Sequence, residues 1–167
     1  MSAGQPEPVR ILRTPIRLSY TYSAGQSATR LLRAVAEGRL IGQRCPVDGR
    51  VYFTSRGSCP QHGVPLDGEA VELSDRGTIV TYSINRVPAE NIPLQLPYAA
   101  IQVLLDGADT VLMHVLGECD VEEVHMGMRV QAVWRPREEW TTSIGNILYF
   151  KPSGEPDAPY DSYREHI

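Results

Sequence analysis

Apolar positions recur with two different periods along this 167-residue chain. Near the front, Ala28, Leu31, Leu32 and Val35 fall at helical spacing, which predicts one short amphipathic helix over residues 27–38, stopped by Gly38. A helix this short is marginal alone, so its apolar stripe needs a surface to cover. Beyond residue 70 the pattern becomes β-branched and roughly alternating, which predicts strands over 70–73, 77–86, 97–106, 110–116, 128–134 and 144–150. Asp106-Gly107 is a hairpin signal between the third and fourth of these, and Val121 to Val124 reads as a brief helical turn. The last five strands, with a short helical element between the third and fourth of them, are the recipe of an OB-fold, a small Greek-key barrel.

Between the two regimes a short pattern occurs twice, Cys45-Pro-Val-Asp48-Gly and Cys59-Pro-Gln-His62-Gly. Each half offers a ligand, two spacer residues, a second ligand and a glycine, the layout of two zinc knuckles flanking a Tyr52-Phe53-Thr54 strand. Cys45, Asp48, Cys59 and His62 can close a tetrahedral structural zinc site, with Asp the weakest of the four ligands. The alternative is a ribbon that keeps its turns without metal, held by Val51, Tyr52 and Phe53. A closed shell would leave no coordination position for substrate, so any zinc here is a scaffold.

The organisation expected is therefore mainly β: an extended arm over 1–22, rich in Pro and Arg with little core-forming pattern, a helix plus rubredoxin-like zinc ribbon over 23–68, a five-stranded OB-fold barrel over 69–152, and a turn-rich tail over 153–167 in which Tyr160 and Tyr163 can serve as anchors. Three cysteines, two of them in knuckles, suit a reducing compartment. No apolar run has signal or membrane-span length, and the expectation is a soluble cytoplasmic protein that does not engage a membrane.

The net charge of −4 hides an asymmetry. Residues 1–56 carry nine arginines against Glu7, Glu37 and Asp48, a net +6, whereas the remainder is net −10. Arginine forks suit carboxylate or phosphate partners, although a solvated face explains the bias as well. An acidic barrel with one aromatic, Tyr98, on its second and third strands argues against nucleic-acid binding, which needs a positive groove and stacking platforms.

Two loops at the expected barrel mouth carry docking chemistry. The first, residues 87–97, sets Ile92, Leu94 and Leu96 between prolines, and proline lowers the entropy lost when a loop is fixed. The second, residues 135–142, offers Arg135, Arg137 and Trp140, residue types frequent at interface hot spots. Both loops can equally fold back on the barrel. No catalytic group stands out: Cys119 lies between acids that raise its pKa, His114 sits within a strand, and Asp120, Glu122, Glu123 and His125 read as an exposed polar turn.

Taken together, Glu37-Gly38-Arg39-Leu40, Gly42-Gln43-Arg44-Cys45, the Cys-Pro pairs at 45 and 59, Gly77-Thr-Ile-Val-Thr-Tyr82, Ala100-Ile-Gln-Val-Leu-Leu-Asp-Gly107 and Gly127-Met-Arg-Val130 resemble the zinc-ribbon plus OB-fold family known as domain of unknown function thirty-five. The resemblance spans residues 24–152. It implies an accessory subunit, without catalysis of its own, that forms hetero-oligomers with thiolase-like or aldolase-like subunits acting on acyl-CoA, the barrel contacting the partner or the CoA thioester. In that family the second ligand of each knuckle is usually Cys, so Asp48 and His62 are departures. Other readings are a free-standing acyl-CoA-binding module, a nucleic-acid-binding OB protein and an independent hydrolase or thioesterase.

Overall fold

The computed structural model describes residues 11, 14, 16, 18–53, 56–88 and 92–167. Thr54 and the centre of the 87–97 loop lie outside the described residues, as does most of the 1–17 stretch.

The front helix α1 (Gly25–Ala36) buries Ala34 and Val35 and sets Leu31 against the core. It ends as its sequence indicates. Gly38 takes φ +78°, its amide donates to the Val35 carbonyl at 3.1 Å, and the Arg39 amide donates to the Ala34 carbonyl at 2.9 Å. This pair of bonds satisfies carbonyls that the end of a helix leaves open.

The chain then enters β1 (Leu40–Arg44), where the hydrophobic pattern predicts no strand. It is in fact the central strand of a three-stranded antiparallel sheet, between β2 (Val51–Tyr52) and β3 (Ala70–Leu73). Gly42 in its middle obscures the strand signal but is required there, because a Cβ would stand 2.5 Å from Val51 Cγ1. The strand at 70–73 thus pairs with the ribbon and does not enter the barrel.

Five strands close the barrel in the order β4-β5-β6-β8-β7: β4 (Arg76–Asn85), β5 (Tyr98–Leu105), β6 (Val111–Leu116), β7 (Arg129–Trp134) and β8 (Ile147–Pro152). Strand β5 shows how the pattern becomes a core, with Ala99, Ile101, Val103 and Leu105 buried and the residues between them half-exposed. Closure depends on β4 pairing with β7 over Arg76–Thr78 and on one parallel pair, Leu116 with Phe150, between β6 and β8. Phe150 is fully buried. The strand expected from residue 144 begins at Ile147, because Ile144–Asn146 form a short 3-10 turn. That turn buries Asn146, whose amide donates to the carbonyls of Val35 and Thr141 at 3.2 and 2.7 Å. Residues 121–123 form a hydrogen-bonded turn and no helix.

One hydrophobic cluster unites the two parts: Val35, Leu40, Val51, Phe53 and Leu73 of the helix and ribbon pack with barrel residues including Ile79, Val103, Val130 and Phe150. The turn-rich tail is strapped to the barrel, and of its two expected anchors Tyr163 is buried while Tyr160 stays exposed. The Ala158 amide donates to the Gly127 carbonyl at 2.9 Å, and Glu155 accepts from Arg129 Nε at 3.0 Å. Among the described residues no helix is long and apolar enough to cross a membrane.

Candidate metal centre and docking loops

The two knuckles repeat one backbone pattern. The Gly49 amide donates to the Cys45 carbonyl at 3.0 Å and the Cys45 amide to the Arg50 carbonyl at 2.8 Å. In the second knuckle, Gly63 donates to Cys59 and Cys59 to Val64, both at 2.8 Å. These turns point amides at sulfur: those of Asp48 and Val47 at Cys45, and those of His62 and Gln61 at Cys59. Both sulfurs are buried, and they share a small cluster with Tyr52 and Leu66 that is separate from the main core.

Cys45, Cys59 and His62 converge, their ligand atoms all lying within 4.8 Å of one another. His62 presents Nδ1 to both sulfurs, 3.5 Å from Cys45 Sγ and 3.4 Å from Cys59 Sγ. Zinc bonds of about 2.3 Å to sulfur and about 2.0 Å to nitrogen, at the tetrahedral angle, place sulfur and nitrogen about 3.5 Å apart. The observed spacing meets that requirement, so these three side chains could hold a metal ion. Asp48 stands outside the tight group. Its Oδ2 is 3.8 Å from His62 Nδ1, while Oδ1 accepts from the Arg50 amide at 3.1 Å.

The electrostatics of the two thiols differ. Burial pushes the Cys45 thiol up. Burial acts on Cys59 in the same direction, but the Tyr52 hydroxyl, 3.5 Å from its sulfur, and the two knuckle amides outweigh it and bring the thiol down to about 6. Tyr52, hydrogen-bonded to that sulfur and buried, is itself pushed up to about 12. Sequence reading assigned Tyr52 only to packing; its position between the two cysteines was the available signal.

The docking loops separate into two kinds. In the β4–β5 loop Ile92 and Leu94 are exposed, at 41% and 40%, Val87 is exposed at 80%, and Leu96 is half-buried. The β7–β8 loop packs largely on itself. Trp140 is half-buried over Gly38 and against Trp134, with ring centroids 5.5 Å apart, and its Nε1 donates to the Arg135 carbonyl at 2.8 Å. Arg135 Nε donates to the Gly145 carbonyl at 2.8 Å, and the Arg137 guanidinium lies 5.8 Å from the Trp140 ring centre.

The remaining titratable groups are held locally. Burial, then Glu123 and Asp120, push the Cys119 thiol up. His125 donates from Nδ1 to the Glu123 carbonyl at 2.8 Å and from Nε2 to Asp157 Oδ2 at 2.9 Å. His114 sits edge-on to Phe150, with burial lowering its pKa.

Comparison with known proteins matches residues 70–135 to the family described as ChsH2, C-terminal OB-fold domain. A DUF35 domain-containing scaffold protein of Methanocaldococcus jannaschii is 35% identical over 116 residues, covering 68% of this chain and 81% of the relative. Its counterpart in Pyrococcus furiosus is 33% identical over 117 residues, covering 68% and 83%. Among solved structures, one described as an Ltp2-ChsH2(DUF35) aldolase superposes with a TM-score of 0.58 over 82% of this chain and 99% of the other, at 22% identity, a likeness of fold. The order of helix, ribbon and barrel together with these identities places the chain in the DUF35 family, the zinc-ribbon plus OB-fold family its motifs resemble.

Proposed function

We propose that this chain is a non-catalytic accessory subunit that holds a thiolase-like or aldolase-like enzyme acting on acyl-CoA thioesters and completes the entrance to that enzyme's substrate site. The partner supplies the nucleophile and base. The observation that carries the reading is identity above one third to a protein described as a DUF35 scaffold; the fold shared with the DUF35 component of an aldolase supports it.

The geometry suggests how the scaffold would work. An apolar β4–β5 loop with Val87, Ile92 and Leu94 in solvent is a surface that gains by being covered. Leu96 is half-buried in the same loop, while Arg135, Arg137 and Trp140 interact largely within the β7–β8 loop. Arg30 spends its guanidinium on the carbonyls of Leu66, Asp67 and Gly68, which favours a structural role for it over clamping a CoA phosphate. A zinc ion on Cys45, Cys59 and His62, with Asp48 as the fourth and weakest ligand, would tie the knuckles together and leave no open position for chemistry. The free cysteines suit the cytoplasm.

The test is reconstitution. The chain is purified from its native host, the co-purified enzyme subunit is identified, and that subunit's turnover of an acyl-CoA thioester is measured with and without this chain. Turnover that rises on adding the chain is expected. Acyl-CoA turnover by the chain alone, or a thiolase-like or aldolase-like subunit that neither binds the chain nor responds to it, overturns the reading.

A further inference from the structure

The two sides of the candidate metal centre differ. Cys45 and Cys59 are each 1% exposed, whereas the side chains of His62 and Asp48 are 31% and 24% exposed. Around them residues 46–48 and 60–63 stand in solvent. Among the described residues no other cysteine, histidine or carboxylate joins Cys45, Cys59 and His62. A structural zinc takes four ligands, so the fourth position falls to Asp48 on the exposed side.

Asp48 is engaged elsewhere. Its Oδ1 accepts from the Arg50 amide at 3.1 Å. With the Gln61 amide turned to satisfy both its ends, its nitrogen donates to Asp48 Oδ2 at 3.1 Å and its oxygen accepts from Arg50 Nη1 at 3.2 Å. The carboxylate therefore has a partner for each oxygen within the protein. Oδ2 lies 3.8 Å from His62 Nδ1. Two bonds of about 2.0 Å at the tetrahedral angle would bring nitrogen and oxygen to about 3.3 Å.

We infer that Asp48 is a displaceable ligand of a zinc ion held by Cys45, Cys59 and His62, and that a small soluble thiol takes its place from the solvent side. Softness, charge and access select this ligand. Two sulfurs and an imidazole make a soft site, which prefers thiolate to carboxylate. Zinc with two thiolates and a neutral imidazole has no net charge, so carboxylate and thiolate each bring it to −1 and the swap is electrostatically even. The Arg50 guanidinium, with Nε 3.8 Å from Asp48 Oδ2, faces an anion in either case. The exposed knuckle tips leave a path from water to the fourth position, while both cysteine sulfurs stay buried.

In the exchange the thiol releases its proton to solvent as its sulfur bonds zinc, and the carboxylate–zinc bond breaks. Asp48 keeps its Arg50 and Gln61 bonds, and nothing is oxidised or reduced. The shell, closed at rest, opens at this one corner. The exchange presupposes a metal on the three residues but not an enzyme partner.

Cobalt(II) in place of zinc makes the exchange visible, because its near-ultraviolet charge-transfer absorption grows with each bound sulfur. The full chain is loaded with cobalt under nitrogen and titrated with 2-mercaptoethanol, and retained metal is measured after gel filtration. The band is expected to grow by about half, as a third sulfur joins two, with the cobalt retained. Asp48→Ala should reach the same plateau at a thiol concentration at least about threefold lower, since no carboxylate competes. Asp48→Cys should show the stronger band from the outset and give no further rise. A chain that binds no cobalt overturns the metal reading and the exchange with it. A band that stays level while cobalt is retained, cobalt stripped by the thiol, or an equal rise in Asp48→Cys overturns the exchange alone.

Discussion

The indole of Trp140 packs on Gly38, so closely that a Cβ at Gly38 would stand 2.5 Å from ring carbon Cη2. Gly38 also holds φ +78°, where a side chain is strained. Gly38→Ala is therefore expected to cost about 1–2 kcal/mol from the backbone alone, and more from displacing the ring. The thermal midpoint should fall by several degrees, roughly 2–4 °C per kcal/mol for a chain of this size. Trp140→Ala removes the obstruction, so the double variant should lose less than the sum of the singles, a coupling that a double-mutant cycle in urea reads directly.

Phe150 is fully buried where β6 meets β8, edge-on to His114. Phe150→Ala is expected to destabilise by about 3–5 kcal/mol and to open the barrel seam. Chemical denaturation measures the loss, and hydrogen exchange should show protection falling first along β6 and β8.

A single zinc ion on the knuckles predicts a graded response, read by metal analysis after competition with a chelator. Cys59→Ser should weaken retention by at least about a hundredfold. Asp48→Ala, with Oδ2 3.8 Å from His62 Nδ1 and outside the tight group, should weaken it less than Cys59→Ser does, as expected of the weakest of four ligands. Asp48→Cys should tighten it, since a thiolate is the better ligand for zinc.

The exposed loop apolars give the clearest test of docking. Ile92→Asp with Leu94→Asp should weaken binding of the enzyme partner by at least tenfold, about 1.4 kcal/mol, while lowering the melting temperature far less than a core substitution such as Phe150→Ala, because the two side chains are 41% and 40% exposed. Arg137→Ala should change affinity less. Calorimetric titration with the purified partner distinguishes the two.

His125 ties the turn after β6 to the tail through Asp157. Its hydrogen bond to the Glu123 carbonyl, then that to Asp157, raise its pKa above the ordinary 6.5. The folded state therefore holds this proton more tightly than the unfolded one. The contact contributes fully below about pH 6.5 and is lost as pH climbs through the raised value. With the side chains 48% and 59% exposed the contribution is small, within about 1 kcal/mol. An NMR titration should place the His125 midpoint above 6.5, and His125→Ala should abolish the pH dependence of tail protection.

Much of this architecture was legible beforehand. The alternation at 97–106 and 110–116 and the Asp106-Gly107 turn specify a hairpin locally, and β5 and β6 follow it closely. Gly38 marked the end of α1 because its left-handed backbone is a local demand. What escaped depended on distant partners. Strand β1 has Gly42 where a strand signal needs a side chain, and its need for glycine arises from Val51 across the sheet. Trp140 reads as a docking residue from its type alone, and its packing over Gly38 depends on a residue far away in the chain. Tyr163 was legible as an anchor of the tail, but the backbone bond from Ala158 to Gly127 that straps it to the barrel has no signal in the sequence. At the candidate metal site, three of the four residues the spacing pointed to, Cys45, Cys59 and His62, come together; Asp48 instead accepts from the Arg50 amide, a bond that spacing does not encode.

The shared cluster of Val35, Leu40, Val51, Phe53 and Leu73 with the barrel interior bears on how such a chain can be taken apart. Cutting near residue 69 would strip β3 of β1, its sheet neighbour among the described residues, and bare apolar surface on both sides, so neither piece is an exchangeable module. Calorimetry should record one cooperative endotherm for helix, ribbon and barrel together, while the knuckle tip, with its own four-residue cluster, loosens independently when its ligands are lost.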